Sequence, residues 1–502
     1  MNAAHAPEVP TPAPAVQRAT LAVVCVTTAM LMLDIAVVNT ALPAIATDLR
    51  ASMTGLQWVV DAYTLALAAV VLSAGSLADR SGRRRVFTGG LVLFTVASAA
   101  CAWAPGIWWL DGARAVQGLG GAVLFACSLA LLADAYPSMQ QRAGALAAYG
   151  ATIGGSFAVG PLLGGMLTQH VDWRAIFLLN VPVGLVTWAV TARWVRESKD
   201  SNPRGLDVPG QVLAALGLGL LIFGLMRGNV DGWTSGTVLA SFGGAALSLG
   251  LFVAVEALVE QPMLPLQMFA NRAFTGAQLA AFAISSSMFA VFVYCTFYLQ
   301  GVLHLTPVEA GLAYLPGTVV MFFVAGATAQ IGKKVSPAVT LAVSLVLVAA
   351  GLLVMGLTAQ VDSSRWAMTW AFMLACVGAG VFNPVMSGLV LGESAATHSG
   401  LAAGINDAFR QTGIAVGVAG LGALFPAQSV LAGGSATGFV DGLHTALYVS
   451  TAIALVGAVI CLVTLPWRVP GEAPEAEPVA LDEMRLAMAE LQLELEGRLT
   501  YR

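Results

Sequence analysis

Long apolar stretches separated by short polar loops are the dominant pattern along this chain. Many of the runs hold 18 or more residues, enough for a helix rising about 1.5 Å per residue to cross a hydrocarbon core of about 30 Å. They are continuous rather than alternating, which argues against a membrane β-barrel. The pattern predicts fourteen membrane-spanning helices, at residues 19–43, 58–78, 86–104, 109–133, 143–167, 175–192, 208–226, 235–255, 273–299, 310–330, 335–358, 366–391, 401–425 and 443–466.

Composition supports an all-α polytopic membrane protein. Of the 502 residues, 58% are apolar and 10% are charged, whereas soluble proteins have about 25% charged residues. Residues 1–467 carry nineteen charges of each sign, so the net charge of −4 belongs to the tail that follows them. No basic field is present that would attract nucleic acid.

Metal, cofactor and nucleotide chemistry are not indicated by the sequence. The six cysteines lie inside apolar runs without metal-ligand spacing, so we expect free thiols and neither a metal nor a cofactor. There is no Walker A lysine motif and no soluble stretch that could house a nucleotide-binding cassette. We therefore expect a protein that is not an enzyme and that draws its energy from an ion gradient or from the gradient of its substrate.

The loop between helices 2 and 3 is echoed later in the chain. It contains Gly75, Asp79, Arg80, Gly82 and Arg83, and a weaker copy runs from 326 to 334. If helices 1–6 and 9–14 are two repeats with two helices inserted between them, the two loops occupy equivalent places. Such repeats are typical of transporters that rock around a site at the membrane midplane.

This repeat divides the chain into five segments. We expect a disordered tail, a first six-helix bundle, two linker helices, a second six-helix bundle and an acidic tail, at residues 1–18, 19–200, 201–260, 261–467 and 468–502. The last segment contains apolar residues spaced three and four apart from Leu481 to Leu495, which predicts a short amphipathic helix.

The distribution of basic residues predicts the orientation. With the N-terminus inside, fourteen Lys and Arg residues fall in cytoplasmic loops and four fall outside, namely Arg50, Arg174, Arg227 and Arg365. This bias is the positive-inside pattern. We expect both termini in the cytoplasm and the chain in the cell membrane.

Six charged residues fall inside the predicted spans: Asp34, Asp61, Asp111, Arg114, Asp407 and Arg410. Charges at membrane depth cost a few kcal/mol or more, so each is expected to face a polar cavity or a partner. Asp111 lies within a turn of the outer end of helix 4, where we expect it to reach water.

Asp34 and Arg114 are the strongest candidates for a proton-coupling site. At about 1.5 Å per residue, Asp34 lies about 13 Å and Arg114 about 8 Å below the outer ends of helices 1 and 4, so they can meet if these helices pack together. A static structural pair is one interpretation. The alternative is a proton carrier, because burial raises the pKa of a carboxyl and a neighbouring Arg lowers it.

Two further charged sites are candidates for coupling or substrate contact. Asp407 and Arg410 lie three residues apart on helix 13 and can pair locally, either as a structural pair or as part of the coupling machinery. Asp61 is predicted near the outer mouth of helix 2, where Trp58 and Tyr63 could offer a cation–π surface to a lipophilic cation. An interfacial aromatic belt explains Trp58 equally well.

Helix 5 carries five glycines around Pro161, between Gly154 and Gly165. Small residues let helices approach closely, and proline removes a backbone hydrogen bond. Close packing and a hinge are both compatible with this segment.

These motifs resemble those of the major facilitator superfamily, specifically its fourteen-helix drug:proton antiporters. The resemblance rests on the helix 1 segment 33–43, the loop 75–85, the helix 4 segment 110–122, the helix 5 segment 154–165 and the segment 173–182. It implies that Asp79 and the arginines after it, including Arg80 and Arg83, form a charge-relay latch between helices, in a loop whose Gly75 and Gly82 belong to the same conformational gate. It also implies that Gly160 and Pro161 bend helix 5, that Arg114 supports proton coupling and that Asp34 takes part in transport.

The resemblance implies a proton-coupled antiporter that exports lipophilic drugs, antibiotics or toxic organic cations. Its partners would be the small-molecule substrate, protons and the lipid bilayer. Two alternatives remain at this point. One is a dedicated exporter of an endogenous metabolite or self-made antibiotic, and the other is a proton-coupled nutrient uptake transporter.

Overall fold

The computed structural model describes residues 13–200, 205–331, 335–392, 399–426 and 430–468. Fourteen long helices lie within these ranges, and no strand does. They are α1 (Pro14–Asp48), α2 (Met53–Ser81), α3 (Arg83–Ala102), α4 (Ile107–Ala135), α5 (Met139–His170), α6 (Ala175–Trp194), α7 (Val208–Asp231), α8 (Gly236–Leu258), α9 (Arg272–Val302), α10 (Pro307–Ile331), α11 (Pro337–Thr358), α12 (Arg365–Gly392), α13 (Ser399–Gly422) and α14 (Ala436–Thr464).

Each predicted span corresponds to one of these helices. Thirteen are long and apolar enough to cross a membrane in the described part of the chain, and α13, which carries Asp407 and Arg410, falls short of that criterion. The first helix starts at Pro14, so residues 14–18, which the sequence assigned to a disordered tail, are helical. The predicted C-terminal amphipathic helix and the end of the repeated loop, residues 332–334, lie outside the described residues.

Many helices begin at a residue that caps their first turn. Ser52 Oγ accepts a hydrogen bond from the Gly55 N–H at 3.2 Å at the start of α2. The same capping role falls to Ser138, Asp207, Ser235, Asn271, Ser336 and Ser435. A cap of this kind stabilises a helix by about 1 kcal/mol. Polar residues at the loop ends therefore set where the apolar spans begin.

The helices form two bundles with the same internal pairing. In the first bundle, α4 packs on α2 and α3, α1 packs on α5, and α3 packs on α6. In the second, the equivalent pairs are α12 with α10 and α11, α9 with α13, and α11 with α14. The bundles meet along α2 with α13 and along α5 with α10, and these two interfaces are also equivalent under the repeat.

The inserted helices α7 and α8 form a hairpin at one of these interfaces. They pack on each other, and α7 contacts both α2 and α13. Ile222 and Met226 of α7 form a small apolar cluster with Ala415 and Ala419 of α13. The hairpin therefore lies against the seam between the bundles on one side of the molecule.

Two faces of the helix assembly are used for reference below. The arginine-rich face is the one at which α1 begins and on which Arg80, Arg83, Arg84 and Arg85 lie, and the opposite face is the one at which α1 ends at Asp48. Exposed tryptophans occur towards both ends of the helices, including Trp103 and Trp108 near the opposite face and Trp194 near the arginine-rich face. This arrangement is typical of the aromatic belts of membrane proteins.

The α9 helix departs from the regular helix that the sequence predicts. It contains two π-helical turns, Ser285–Phe289 and Tyr298–Val302. Turns of this kind are rare and occur often at functional sites. Phe289, at the end of the first of them, lines the cavity described below.

Candidate functional site

A buried ion pair joins α1 to α4 inside the first bundle. Arg114 Nη1 lies 2.5 Å from Asp34 Oδ2, and the two side chains are only 2% and 1% exposed. The sequence places both residues at membrane depth but leaves their contact conditional on the packing of the two helices. The structure brings them together.

Neutral side chains complete the hydrogen bonding of Asp34. Its Oδ1 accepts from Gln117 Nε2 at 2.8 Å and from Asn180 Nδ2 at 3.1 Å. Gln117 Nε2 also donates to Ser98 Oγ at 2.9 Å. The network therefore unites α1, α3, α4 and α6. Gln117 and Asn180 lie within the family-like motifs, but the sequence analysis did not select them or Ser98 as site residues.

Arg114 is held by contacts on several sides. Its Nε donates to the Val59 carbonyl of α2 at 3.0 Å, and its Nη1 also donates to Gln117 Oε1 at 2.7 Å. The guanidinium carbon lies 4.2 Å from the centre of the Tyr63 ring, a cation–π contact. Tyr63 therefore belongs to the Arg114 site and not, as predicted, to a surface beside Asp61.

The glycines of the helix 4 motif allow α4 to approach α2 this closely. A Cβ atom added at Gly118 would lie 2.4 Å from the Tyr63 carbonyl oxygen. Only a residue without a side chain fits there, since a contact below 3.0 Å forces the backbone to shift. The close approach brings Arg114 within reach of the α2 backbone.

A small cavity adjoins this network between the two bundles. Asn39 lines this cavity, and its Oδ1 is buried and has no hydrogen-bond partner in the described part of the chain. Arg114 lines the cavity as well, so the ion pair and the cavity share a side chain. The other lining residues are mainly apolar or aromatic: Ile35, Val38, Val60, Tyr63, Thr64, Phe157, Phe289, Phe292, Val293 and Ile414.

Asp61 is not at an accessible outer mouth, contrary to the prediction. It is 0% exposed, and neither carboxylate oxygen has a hydrogen-bond partner among the described residues. Trp58, one turn earlier on α2, packs on the cluster of α7 and α13 residues. The prediction failed because the inserted hairpin and α13 cover this side of α2, which a single sequence does not reveal.

Asp111 is also more buried than its position near a helix end suggests. It is 8% exposed, and both of its oxygens lack a partner among the described residues. The expectation that it reaches water is therefore wrong.

Asp407 and Arg410 lie on α13 in the half nearer the arginine-rich face. Arg410 acts electrostatically on Asp407, and both act on Tyr149 of α5. No direct ion pair joins Asp407 to Arg410 within the described residues. The two charges therefore lie close enough to α5 of the first bundle to act on it.

The loop between α2 and α3 holds a second charged cluster, at the arginine-rich face. Arg83 Nη2 pairs with Asp79 Oδ1 at 2.8 Å. The segment after α6 lies across this loop, since the Arg83 N–H donates to the Ser198 carbonyl at 2.8 Å and the Asp200 N–H to the Asp79 carbonyl at 3.0 Å. Arg80 is exposed. The cluster joins the ends of three helices of the first bundle.

Gly82 and Glu197 complete this cluster. Gly82 has a φ of +108°, which glycine adopts most readily, and a Cβ there would lie 2.7 Å from Glu197 Oε1. The Glu197 carboxylate also lies 3.7 Å from Arg84 Nε and 3.6 Å from Arg85 Nε. Glu197 is not predicted as a site residue, because nothing in its local sequence shows that it folds back on this loop. Gly75 has no neighbour within 4 Å of an added Cβ.

The glycines of α5 pack closely on helices of both bundles. A Cβ added at Gly160 would lie 2.4 Å from Ala36 Cβ of α1, and one at Gly165 would lie 2.2 Å from the Pro307 carbonyl of α10. The helix continues through Pro161 to His170. Close packing, one of the two interpretations of this motif, accounts for these contacts, and a hinge at Gly160 and Pro161 stays a prediction.

Comparison with known proteins identifies relatives over most of the chain. The methylenomycin A resistance protein of Streptomyces coelicolor is 34% identical over 412 residues, covering 82% of this chain and 86% of that protein. The multidrug efflux pump LfrA of Mycolicibacterium smegmatis is 34% identical, covering 81% and 80%. The tetracenomycin C resistance and export protein of Streptomyces glaucescens is 30% identical, covering 92% and 94%.

Solved structures support the fold at lower sequence identity. The human organic anion transporter MFSD10 matches with a TM-score of 0.61 at 14% identity, covering 90% of this chain and all of that one. A peptide transporter POT variant matches with a TM-score of 0.62, also at 14% identity, covering 89% and 95%. The family model of the Major Facilitator Superfamily matches residues 24–418. This chain is therefore a multi-pass membrane protein that belongs to the major facilitator superfamily.

Proposed function

We propose that this protein exports small lipophilic drugs or antibiotics in exchange for protons, by alternating access and without enzymatic activity. The names of the relatives support export, since they include multidrug efflux and antibiotic resistance proteins. The single observation that carries proton coupling is the buried Asp34 network, because the Asp34 carboxylate is its acid–base group, whereas Arg114 keeps its proton and Gln117, Asn180 and Ser98 are uncharged.

The proposed orientation places the arginine-rich face in the cytoplasm. The support is the bias of fourteen basic residues in the loops of that side against four in the others. Both termini are then cytoplasmic, and substrate moves from the arginine-rich face to the opposite face across the cell membrane.

Alternating access would separate the bundles where they now touch near the opposite face. There, Gln57 Nε2 of α2 donates to Tyr294 Oη of α9 at 3.0 Å, and Tyr294 in turn donates to the Val418 carbonyl of α13. Gln300 Nε2 of α9 donates to the Thr40 carbonyl of α1 at 2.9 Å. Opening that face would require breaking the hydrogen bonds that Gln57 and Gln300 donate between the bundles.

The proton would act through the bond between Asp34 and Arg114. Protonation removes the charge of Asp34 and turns one of its oxygens from an acceptor into a donor, which ends the ion pair. Arg114 keeps the Val59 carbonyl, Gln117 and the Tyr63 ring as partners. Since Arg114 also lines the cavity, its charge becomes available there when Asp34 is neutral.

The cavity lining supports a lipophilic substrate. Aromatic and branched apolar side chains dominate it, and Asn39 Oδ1, which has no partner in the described ranges, offers one hydrogen-bond acceptor. Asp61, Asp407 and Arg410 are further coupling candidates, and the cluster of Asp79 and Arg83 would control the movement of the bundles. A hinge at Gly160 and Pro161 would belong to the same movement.

A dedicated antibiotic exporter is the second candidate function. It is favoured by relatives named for single antibiotics, methylenomycin A and tetracenomycin C. A panel of compounds separates the two candidates, because a dedicated exporter protects a pump-deficient host against one chemical class and a multidrug exporter protects against several.

Transport in everted membrane vesicles tests the proposal. An acidic vesicle interior should drive uptake of substrate into the vesicles, which corresponds to export from the cell, and collapsing the pH gradient should stop it. Movement in the reverse direction would identify an uptake transporter. Transport unaffected by the gradient would contradict proton coupling.

A further inference from the structure

Two buried carboxyl groups meet at the end of the α7–α8 hairpin nearest the arginine-rich face. Asp207 precedes α7 and is 5% exposed, and Glu256 lies in the last turn of α8 and is 3% exposed. Their side chains are within hydrogen-bonding reach of each other. Neither residue belongs to the Asp34 network or to the cavity.

One oxygen of each carboxyl group has a backbone donor. Asp207 Oδ1 accepts from the Gly210 N–H at 2.8 Å, and Glu256 Oε2 accepts from the Leu264 N–H at 3.0 Å. The remaining oxygens, Asp207 Oδ2 and Glu256 Oε1, are buried and have no partner in the described part of the chain. The two oxygens without a partner therefore belong to the two neighbouring carboxyl groups, one to each.

An ionised pair of this kind would be strongly unfavourable. Two carboxylates offer only acceptors, and their charges repel each other where water is scarce. A single proton changes this, because a protonated carboxyl donates a short, strong hydrogen bond to a neighbouring carboxylate. It satisfies both remaining oxygens at once.

We propose that Asp207 and Glu256 share one proton, and that this proton is a switch that fastens the segment leading into the second bundle, residues 259–271, to the α7–α8 hairpin. Glu256 holds this segment through the N–H groups of Met263 and Leu264. Loss of the proton drives the carboxylates apart and weakens that attachment.

The same junction reaches α2 of the first bundle. Gln211, in the first turn of α7, donates to the Ala69 carbonyl and accepts from the Ser73 hydroxyl, and Ser73 lies 3.4 Å from Met263 Sδ. The proton therefore acts on a point where the first bundle, the inserted hairpin and the segment entering the second bundle touch. The pH at the arginine-rich face, which is cytoplasmic in the proposed orientation, sets its state.

No other described charge neutralises the pair. Asp207 is the charged group that acts on Glu256. Among the described charged residues of the adjoining segments, four are exposed to solvent: Lys199, Asp200, Glu260 and Arg272. On α2, Asp79 is paired with Arg83.

Thermal unfolding of the purified full-length protein across pH tests this switch. The melting temperature of the wild type should fall between about pH 6 and about pH 9 by roughly 3 °C more than that of Glu256→Gln. The glutamine amide can donate to Asp207 while its oxygen still accepts from Leu264, so it mimics the protonated state at every pH. Asp207→Asn should flatten the profile in the same way.

Asp231→Asn is the matched control, because Asp231 lies at the other end of α7 and forms an exposed ion pair with Arg227. It should keep the wild-type pH dependence. An infrared band of a protonated carboxyl should be lost in either pair variant and kept in this control. These measurements require no transport, so they stand or fall separately from the proposed export activity.

Two results would overturn the proposal. If Glu256→Gln and Asp207→Asn lower the melting temperature equally at every pH and keep the wild-type slope, the pair is only structural. If wild-type stability instead depends on Na⁺ concentration at fixed pH and not on pH, a cation rather than a proton joins the carboxyl groups.

Discussion

The two bundles share one helix arrangement but fill their cores with different chemistry. Counted from the start of the helix, Phe292 occupies in α9 the place that Asp34 has in α1, and Phe372 occupies in α12 the place that Arg114 has in α4. The two phenylalanine rings are stacked with centroids 5.7 Å apart, and Tyr314 lies 4.4 Å from Phe292. An aromatic cluster thus stands where the first bundle has its ion pair.

If Asp34 carries the coupling proton, as proposed, the core of the first bundle responds to protons and the aromatic cluster of the second does not. The Asp34 network depends on a charge that one proton removes, whereas the aromatic cluster gains its stability from buried area and ring contacts at any pH. We infer that the Asp34 network of the first bundle carries the main coupling chemistry, with Asp407 and Arg410 of α13 as further candidates. The aromatic cluster of the second bundle supplies an apolar wall of the cavity, to which Phe292 contributes.

Removing the carboxyl group of Asp34 should have the largest effect on export. Asp34→Asn is expected to lower gradient-driven export by about a hundredfold or more, because an amide cannot carry a proton, with folded protein still in the membrane. Efflux from vesicles under an imposed pH gradient measures this. Asp48→Asn is the control on the same helix, since Asp48 binds Arg174 at the opposite face. Normal proton-coupled export by Asp34→Asn would contradict the proposal that Asp34 carries the coupling proton.

Removing Arg114, the other partner of the ion pair, should destabilise the fold. Arg114→Ala leaves Asp34 buried without its counter-ion, which costs about 3–5 kcal/mol in the free energy of unfolding. The double variant Asp34→Asn with Arg114→Ala should recover part of that loss, because no unpaired charge is left. A double variant less stable than Arg114→Ala would show that Asp34 has another positive partner.

The aromatic cluster of the second bundle should tolerate a substitution without loss of proton coupling. Phe372→Leu is expected to cost about 1 kcal/mol of stability by disturbing the packing with Phe292 and Tyr314. The dependence of export on the pH gradient should match that of the wild type. A changed dependence would mean that the aromatic cluster also takes part in proton coupling.

Asp61 should show the smallest and least selective effect. Because Asp61 is buried on the side of α2 that faces the hairpin, without a hydrogen-bond partner among the described residues, Asp61→Asn should alter export of a matched cationic and neutral compound equally. Efflux of both compounds from the same vesicles measures this. A loss confined to the cation would place Asp61 on the path of the substrate, as its sequence position first suggested.

The sequence predicts the helices well because apolar length and charge are local properties. It also identifies Asp34 and Arg114, since any charge at membrane depth is conspicuous. It does not predict Ser98 and Asn180 as partners, because uncharged polar residues are common in membrane helices and only packing selects these two. The burial of Asp61 depends on the inserted hairpin, and the role of Glu197 depends on a chain reversal after α6. Both require three-dimensional contacts that no spacing in the sequence encodes.

Proton release upon substrate binding tests the central claim most directly. Purified protein in weakly buffered detergent solution should release protons when an exported compound is added, because the substrate favours the state in which Asp34 is ionised and paired with Arg114. Asp48→Asn and Phe372→Leu should release as many protons as the wild type, and Asp34→Asn should release none while still binding the compound. Undiminished release by Asp34→Asn would contradict the account, since the proton would then leave from another group.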